Sequence, residues 1–511
     1  MKLYSTRNSD FYLHSKDAII KGLSDDGGLF CPLYEDIEKH KFDIKDLLTY
    51  DYKKTAKFVF NIFLDDFSDE ELEKCINAAY SNNFNLSNSK DFQSNNSNHT
   101  ITPITKIGKN FLLELYHGPT SAFKDVALTI LPQFLTTAYK SKNENKKIYI
   151  LTATSGDTGK AALSGFKNVE NTFITVFYPT DGVSNIQKLQ MQTSEGNNVS
   201  VVAIKGDFDD CQKLVKEIYT DKDIKKLCDE NNVVLSSANS INIGRLVPQI
   251  VYYIQSYIDL VYNKQINLYD KINFVVPTGN FGNILAGYIA KLLGLPINKL
   301  ICASNDNNVL TDFINTGCYN KNRKLFKTIS PSMDILVSSN LERLLFLLSS
   351  DSKLICKLMD SLYNENEYAV PEDLLKRIND TFVAFYANEE ECRNTIKESF
   401  ENDNRIIDTH TAIAYACLKK YQKTYPNATE PTVILSTASP YKFARDVLKC
   451  IYSENVDSMS DFDCVDKLYN ITNEDIPKNL LELKNKTKLF DTTLDYNSCK
   501  KFVTDKIINC I

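Results

Sequence analysis

Paired cysteines, long apolar runs and clustered positive charge are all missing from this sequence, and each absence removes a class of protein. The thirteen cysteines are odd in number and scattered, with no Cys-x-x-Cys pair and no Cys/His cluster, which argues against a disulfide framework and a zinc site. They read as reduced thiols, and the expectation is a cytoplasmic protein without a metal. No stretch of about 18 apolar residues is available to span a bilayer, and the opening Met1-Lys2-Leu3-Tyr4-Ser5-Thr6-Arg7 has no apolar signal core. Lysine and arginine are interspersed with Asp, Glu and Asn, and the net charge is −6, so there is no electrostatic footprint for nucleic acid. Gly159-Lys160 fails as a nucleotide P-loop, because Thr154 stands where that motif needs glycine and Ala161 where it needs Ser or Thr.

What is present is a globular composition, 43% hydrophobic and 24% charged, over 511 residues. That length fits two to four domains, enough to enclose a large cleft. Up to about residue 80 the chain alternates helical patterns with one turn at residues 22–30, and the Asn/Ser-rich tract 81–98 reads as a linker or surface loop. From residue 111 short β-branched runs, then glycine and hydroxyl residues, then helical periodicity recur, which is α/β architecture. Residues 147–153, 273–277 and 432–435 are the clearest strands. Residues 335–405 read as charged amphipathic helices, and nothing after about residue 446 carries a chemical motif.

The most informative stretch is residues 111–125, Phe-Leu-Leu-Glu-Leu-Tyr-His-Gly-Pro-Thr-Ser-Ala-Phe-Lys-Asp, an apolar strand that turns at Gly-Pro and delivers Lys124 to the start of a helix. In a closed, partly apolar cleft, desolvation would favour the neutral, nucleophilic amine. A single lysine is more often a solvated surface charge. Pro277-Thr278-Gly279-Asn280-Phe281-Gly282-Asn283 lies between a strand and a helix, where backbone N–H groups and the helix dipole can form an anion site. A tight turn that binds nothing is the alternative. Loops leaving the carboxyl ends of parallel strands gather on one side, so these segments can converge on one cleft.

Together, Tyr116-His117-Gly118-Pro119-Thr120, Ala122-Phe123-Lys124-Asp125, the segment 153–159, Asn239-Ser240-Ile241-Asn242, the segment 277–283 and the segment 436–443 resemble threonine synthase. The similarity is to its longer subclass, within the pyridoxal-phosphate family that includes tryptophan synthase β and threonine dehydratase. It runs from Tyr4-Ser5-Thr6-Arg7 to the final helices. The resemblance implies a tryptophan synthase β-like (fold-type II) two-domain α/β catalytic core over 99–445, an N-terminal mainly helical domain over 1–98 and a C-terminal helical extension over 446–511. It also implies pyridoxal 5'-phosphate as cofactor, bound through Lys124, with its phosphate on Gly279, Asn280, Phe281, Gly282 and Asn283. Thr437 would face the pyridine nitrogen. Asp157 would stand near the phenolic oxygen, where two oxygens that both prefer negative charge require a proton or a water between them.

The implied substrate is O-phospho-L-homoserine, its carboxylate on Thr154, Ser155 and Thr158 and its phosphate on Asn239, Ser240 and the guanidinium fork of Arg245, with Lys188 adding positive potential. Lys124 would remove the Cα proton, a second proton would leave Cβ, phosphate would leave Cγ, and water would add at Cβ to give L-threonine. Two alternatives stand beside this: simple elimination to 2-oxobutyrate, and a non-catalytic small-molecule binding relative. The expected assembly is a monomer or homodimer. The sequence departs from the subclass pattern at Ser439 (usually His), Asn185 (usually Pro), Thr278 (usually Ser) and Asn283 (usually Asp). His117, in the turn before Lys124, reads as either a structural hydrogen bond or a substrate contact, and His410 as the capped start of a helix lining the cleft rather than a general base.

Overall fold

The computed structural model describes residues 1–84, 91–92, 101–142, 146–154, 156–180, 183–452 and 455–509. Most of the Asn/Ser-rich tract 81–98, and Ser155, lie outside them. Two parallel sheets form the core. The six-stranded sheet runs in the order Phe382–Tyr386, Ile297–Ser304, Ile272–Pro277, Thr432–Ser436, Asn110–Glu114, Ile104–Ile107, parallel except for the last strand. The five-stranded sheet, Thr493–Leu494, Val199–Ile204, Thr172–Pro179, Lys147–Ala153, Val233–Ser236, is wholly parallel. Every residue of Asn110–Glu114, Ile272–Pro277 and Thr432–Ser436 is buried. Continuous apolar runs are what a parallel sheet covered on both faces demands.

This is the α/β class expected from the alternating pattern, and it sends five chemistry-bearing segments out of strand carboxyl ends. Lys124 follows Asn110–Glu114, residues 279–283 follow Ile272–Pro277, and Thr437 follows Thr432–Ser436. Asp157 follows Lys147–Ala153 and Asn239 follows Val233–Ser236, on the other sheet. Helix Ile243–Tyr262 is buried over almost its whole length and packs on helices Tyr52–Phe63, Gly282–Leu292 and Lys124–Leu128. It thereby links the N-terminal helices to both halves of the core.

Three regions differ from the sequence expectation. The N-terminal section contains a small sheet, Asn8–Leu13, Leu3–Ser5 and Phe30–Cys31, as well as its helices. Leu3–Ser5 and Phe30–Cys31 are too short to show a period, and Asn8–Leu13 has no fully buried residue to mark one face. Helix Leu341–Ser349 is buried on every side rather than amphipathic, and Phe382–Tyr386 is a sheet strand within the stretch read as helical. After residue 446 the chain is helical at Asp461–Thr472, Lys478–Leu481 and Tyr496–Ile508, but its Thr493–Leu494 strand extends the five-stranded sheet.

Helices Lys124–Leu128 and Asp157–Phe166 approach closely through Gly165, where an added Cβ would lie 1.9 Å from the Leu128 carbonyl oxygen. Backbone cannot yield there without separating the helices that carry Lys124 and Asp157. Gly165→Ala is therefore expected to destabilise the fold by about 1–3 kcal/mol, measured by denaturant unfolding. Wild-type stability in that variant would show that the contact is slack.

Candidate active site

Lys124 is held by the turn before it. Asp125 accepts hydrogen bonds from the Thr120 N–H (2.8 Å) and hydroxyl (2.6 Å), closing the Gly-Pro corner. Residues 121–123 then pair with 437–439: the Phe123 N–H donates to the Thr437 carbonyl (2.8 Å) and the Ser439 N–H to the Ser121 carbonyl (3.1 Å). Asn479, from the C-terminal section, donates to the Pro119 carbonyl (2.7 Å) and accepts from the Ser121 hydroxyl (2.9 Å). The Lys124 side chain is only 13% exposed; its Nζ donates to Ser332 Oγ at 3.3 Å and lies 4.0 Å from Asp157 Oδ2. Burial pushes its pKa down to about 8, against the pull of Asp157 and with help from Arg245 and Lys442.

Asp157 starts the helix Asp157–Phe166 and is buried. Its Oδ1 accepts from Lys442 Nζ (2.5 Å) and Gln187 Nε2 (2.8 Å), and its Oδ2 lies 3.5 Å from the Ser332 hydroxyl. Burial alone would raise its pKa, but the Lys442 and Lys124 charges, with the Lys442 and Gln187 hydrogen bonds, hold it well below the usual carboxylate range. Asp157 is thus an ionised carboxylate with a buried lysine as its counter-charge. Thr154, also buried, accepts at Oγ1 from the Gly156 and Gly159 N–H groups (2.9 Å each) and so shapes the same loop; Thr158 follows one residue after Asp157.

The turn at 279–283 is anchored from outside. The Gly279 carbonyl accepts from Ser338 Oγ (2.7 Å), and the Asn280 carbonyl accepts from the Asn340 N–H (3.1 Å) and side-chain amide (3.0 Å). Phe281 has φ of +62° and packs on Phe382, and Gly282 begins the helix Gly282–Leu292. The Tyr252 and Tyr253 hydroxyls donate to Asn283 Oδ1 at 2.6 and 2.9 Å. That leaves Asn283 Nδ2 buried with no partner among the described residues. A buried donor without an acceptor is costly unless a ligand completes it.

Arg245 lies in the first turn of helix Ile243–Tyr262 and is 3% exposed. Its Nη1 donates to the Ala238 carbonyl (2.9 Å), its Nε has no partner, and no carboxylate pairs with it among the described residues. Burial lowers its pKa to about 10, so it stays charged at neutral pH. Asn239 and Ser240, half-buried, belong to a turn pinned by Arg343, which donates to the Phe30 (2.9 Å), Ser240 (3.4 Å) and Ile241 carbonyls. Lys124, Arg245 and Lys442 are three cations set against two carboxylates, Asp157 and Asp125; burial pushes Asp125 up to about 6 despite its Thr120 bonds, which leaves it mostly ionised at neutral pH. The cleft therefore carries excess positive charge, which suits an anionic ligand.

His117 Nε2 lies 2.8 Å from Glu114 Oε2, a structural bond. His410 accepts the Ser332 N–H at Nε2 (3.2 Å), so its Nδ1 carries the proton toward Asp408 Oδ1 (2.9 Å). It holds Ser332, which in turn meets Lys124. Lys188 donates to the Thr180 carbonyl (3.2 Å). Ser439, where the subclass usually has His, is buried and caps the Pro440–Phe443 turn through the Tyr441 N–H. Sequence reasoning missed Ser332, Gln187, Arg343 and Lys442. Lys442 sits inside the 436–443 motif, and a lysine amid Pro-Tyr and Phe-Ala was the available signal; Ser332 had none.

Known proteins match this chain along most of its length. The family described as "Pyridoxal-phosphate dependent enzyme" matches residues 100–438, "Threonine synthase N terminus" residues 2–80 and "Threonine synthase, C-terminal" residues 411–503. Threonine synthase-like 1 of Homo sapiens is 38% identical over 455 residues, 87% of this chain; the chain spans 59% of that protein's length. Threonine synthase of Saccharomyces cerevisiae is 34% identical over 464 residues, covering 86% of this chain and 87% of that one. The crystal structure of pyridoxal-phosphate-bound threonine synthase from Brucella melitensis superposes with a TM-score of 0.82 at 32% identity, covering 99% of both chains. The fold is thus fold-type II, and the cofactor is pyridoxal phosphate. The residues present fit it: a buried amine of lowered pKa, excess positive charge, and the unsatisfied Asn283 amide at a helix-opening turn. Among the described residues no group of side chains could hold a metal ion, and no helix is long and apolar enough to cross a membrane.

A pKa of about 8 makes about a quarter of Lys124 neutral at pH 7.5, against roughly one in a thousand for a free lysine. Uptake of pyridoxal phosphate by apoprotein, followed by its visible absorbance, is expected to accelerate with pH to a midpoint of about 8 and level off above it. Lys124→Ala should show no such band. A midpoint near 10.5 would mean a solvated amine.

Proposed function

The chain belongs to the threonine synthase family of pyridoxal-phosphate-dependent enzymes, and on that premise we propose that it converts O-phospho-L-homoserine and water into L-threonine and phosphate. The observation that carries the reading is Arg245, a buried guanidinium whose Nε lacks a partner and which has no carboxylate among the described residues. With Asn239 and Ser240 it forms a second anion-binding group, distinct from residues 279–283, as a phosphorylated substrate in a phosphate-bearing cofactor site requires. Thr154, Ser155 and Thr158 take the substrate carboxylate through neutral donors. The Thr154 hydroxyl accepts two loop N–H groups and keeps its own proton to donate.

When bound, pyridoxal phosphate supplies an electron sink for the charge left as a proton departs from the carbon bearing the substrate amine. Gly279, Asn280, Phe281, Gly282 and Asn283 would hold its phosphate, Thr437 would offer its pyridine nitrogen a hydroxyl that imposes no charge, and Asp157 would stand by its phenolic oxygen. Lys124 Nζ, steadied by Ser332, takes and returns the substrate's protons. Its lowered pKa suits that work near neutral pH.

Purified protein incubated with O-phospho-L-homoserine should release threonine and phosphate in equal amounts. Keto acid and ammonia without threonine would replace the reading with simple elimination, and no product with an intact cofactor band would point to a binding relative. Arg245→Leu should raise KM for this substrate about 10- to 150-fold, the loss of a charged hydrogen bond, while the cofactor band persists. An unchanged KM would remove Arg245 from the substrate site.

A further inference from the structure

Lys442 is the deepest cation of the cleft: its side chain is wholly inaccessible, and its Nζ is shared between Asp157 Oδ1 (2.5 Å) and the Thr120 carbonyl (3.0 Å). A buried ion pair adds little net stability over a well-packed apolar replacement, so packing does not account for it. The arrangement around Asp157 is divided. Oδ1 is engaged by Lys442 and Gln187, and Oδ2 is turned to the Ser332 hydroxyl (3.5 Å) and Lys124 Nζ (4.0 Å).

We propose that Lys442 is a positioning residue: by clamping one oxygen of Asp157 it keeps that carboxylate ionised, aims the other oxygen at Lys124, and with it sets the proton affinity of the Lys124 nitrogen. The inference rests on pyridoxal phosphate being bound at Lys124. It also meets the difficulty posed by a carboxylate beside the cofactor's phenolic oxygen, since the charge is balanced by an ammonium and needs no shared proton.

The charged groups facing Lys124 are Asp157 on helix Asp157–Phe166, Arg245 on helix Ile243–Tyr262, Lys442 on the turn Pro440–Phe443, and its own neighbour Asp125. Asp125 is occupied by the Thr120 N–H and hydroxyl, and His410 bonds the Ser332 N–H and packs its ring on Phe443, beside Lys442. Lys442 both repels a proton on Lys124 and competes for Asp157. Removing it relieves the repulsion and leaves Lys124 as the nearest cation to an ionised Asp157, so both effects raise proton affinity.

The test is a pH titration of the visible absorbance of holoenzyme for wild type, Lys442→Met, Asp157→Asn and the double variant. Wild-type protein without a band would remove the cofactor reading itself. Given a band, Lys442→Met is expected to move its midpoint up by about one pH unit, roughly tenfold in proton affinity, Asp157→Asn to move it down, and the double variant to titrate above Asp157→Asn. A purely structural lysine would lower the melting temperature and leave the midpoint in place, and that result overturns the proposal. Should Lys442→Met not fold, the double variant, which removes both members of the Lys442–Asp157 pair together, carries the same decision: titration together with Asp157→Asn overturns it.

Discussion

The antiparallel pairing of residues 121–123 with 437–439 is the constraint on which the site depends. Two backbone hydrogen bonds, Phe123 N–H to the Thr437 carbonyl and Ser439 N–H to the Ser121 carbonyl, join the loop after Asn110–Glu114 to the loop after Thr432–Ser436. They fix Lys124 against Thr437 and put Lys442, one short turn on, under the Thr120 carbonyl. Asp125 and Asn479 brace the corner from either side. Rigid backbone positions a reacting amine better than side-chain packing alone.

Electrostatics follow from that geometry. Lys124 is largely desolvated, which favours a neutral amine, yet it sits 4.0 Å from an ionised Asp157 that would hold it charged. Lys442 offsets that pull. Arg245 Nε and Asn283 Nδ2 are buried donors for which the described residues supply no acceptor. Such groups are costly in an unliganded protein, and their cost is consistent with binding anions.

Strands at Lys147–Ala153, Ile272–Pro277 and Thr432–Ser436 were legible because parallel strands covered on both faces are unbroken apolar runs bounded by glycine and hydroxyl residues. The strands Leu3–Ser5 and Phe382–Tyr386 were not, since short strands amid helical residues lack a period and gain their stability from neighbours far off in sequence. Helix Leu341–Ser349 was visible as a helix, but its complete burial, with Glu342 paired to Arg7 and Arg343 bonded to Phe30, is a tertiary fact.

The sequence by itself determined the α/β class, the Lys124 corner, the glycine-bordered turn at 279–283 and the family, because each is carried by local spacing. Only the tertiary structure decided that Lys442 neutralises Asp157, that His410 acts through Ser332, and that Ser439 starts the turn bearing Lys442. Those contacts join residues 78 to 285 positions apart, or depend on which way a capped turn points. Burial and charge balance are properties of the assembled interior, and no local pattern encodes them.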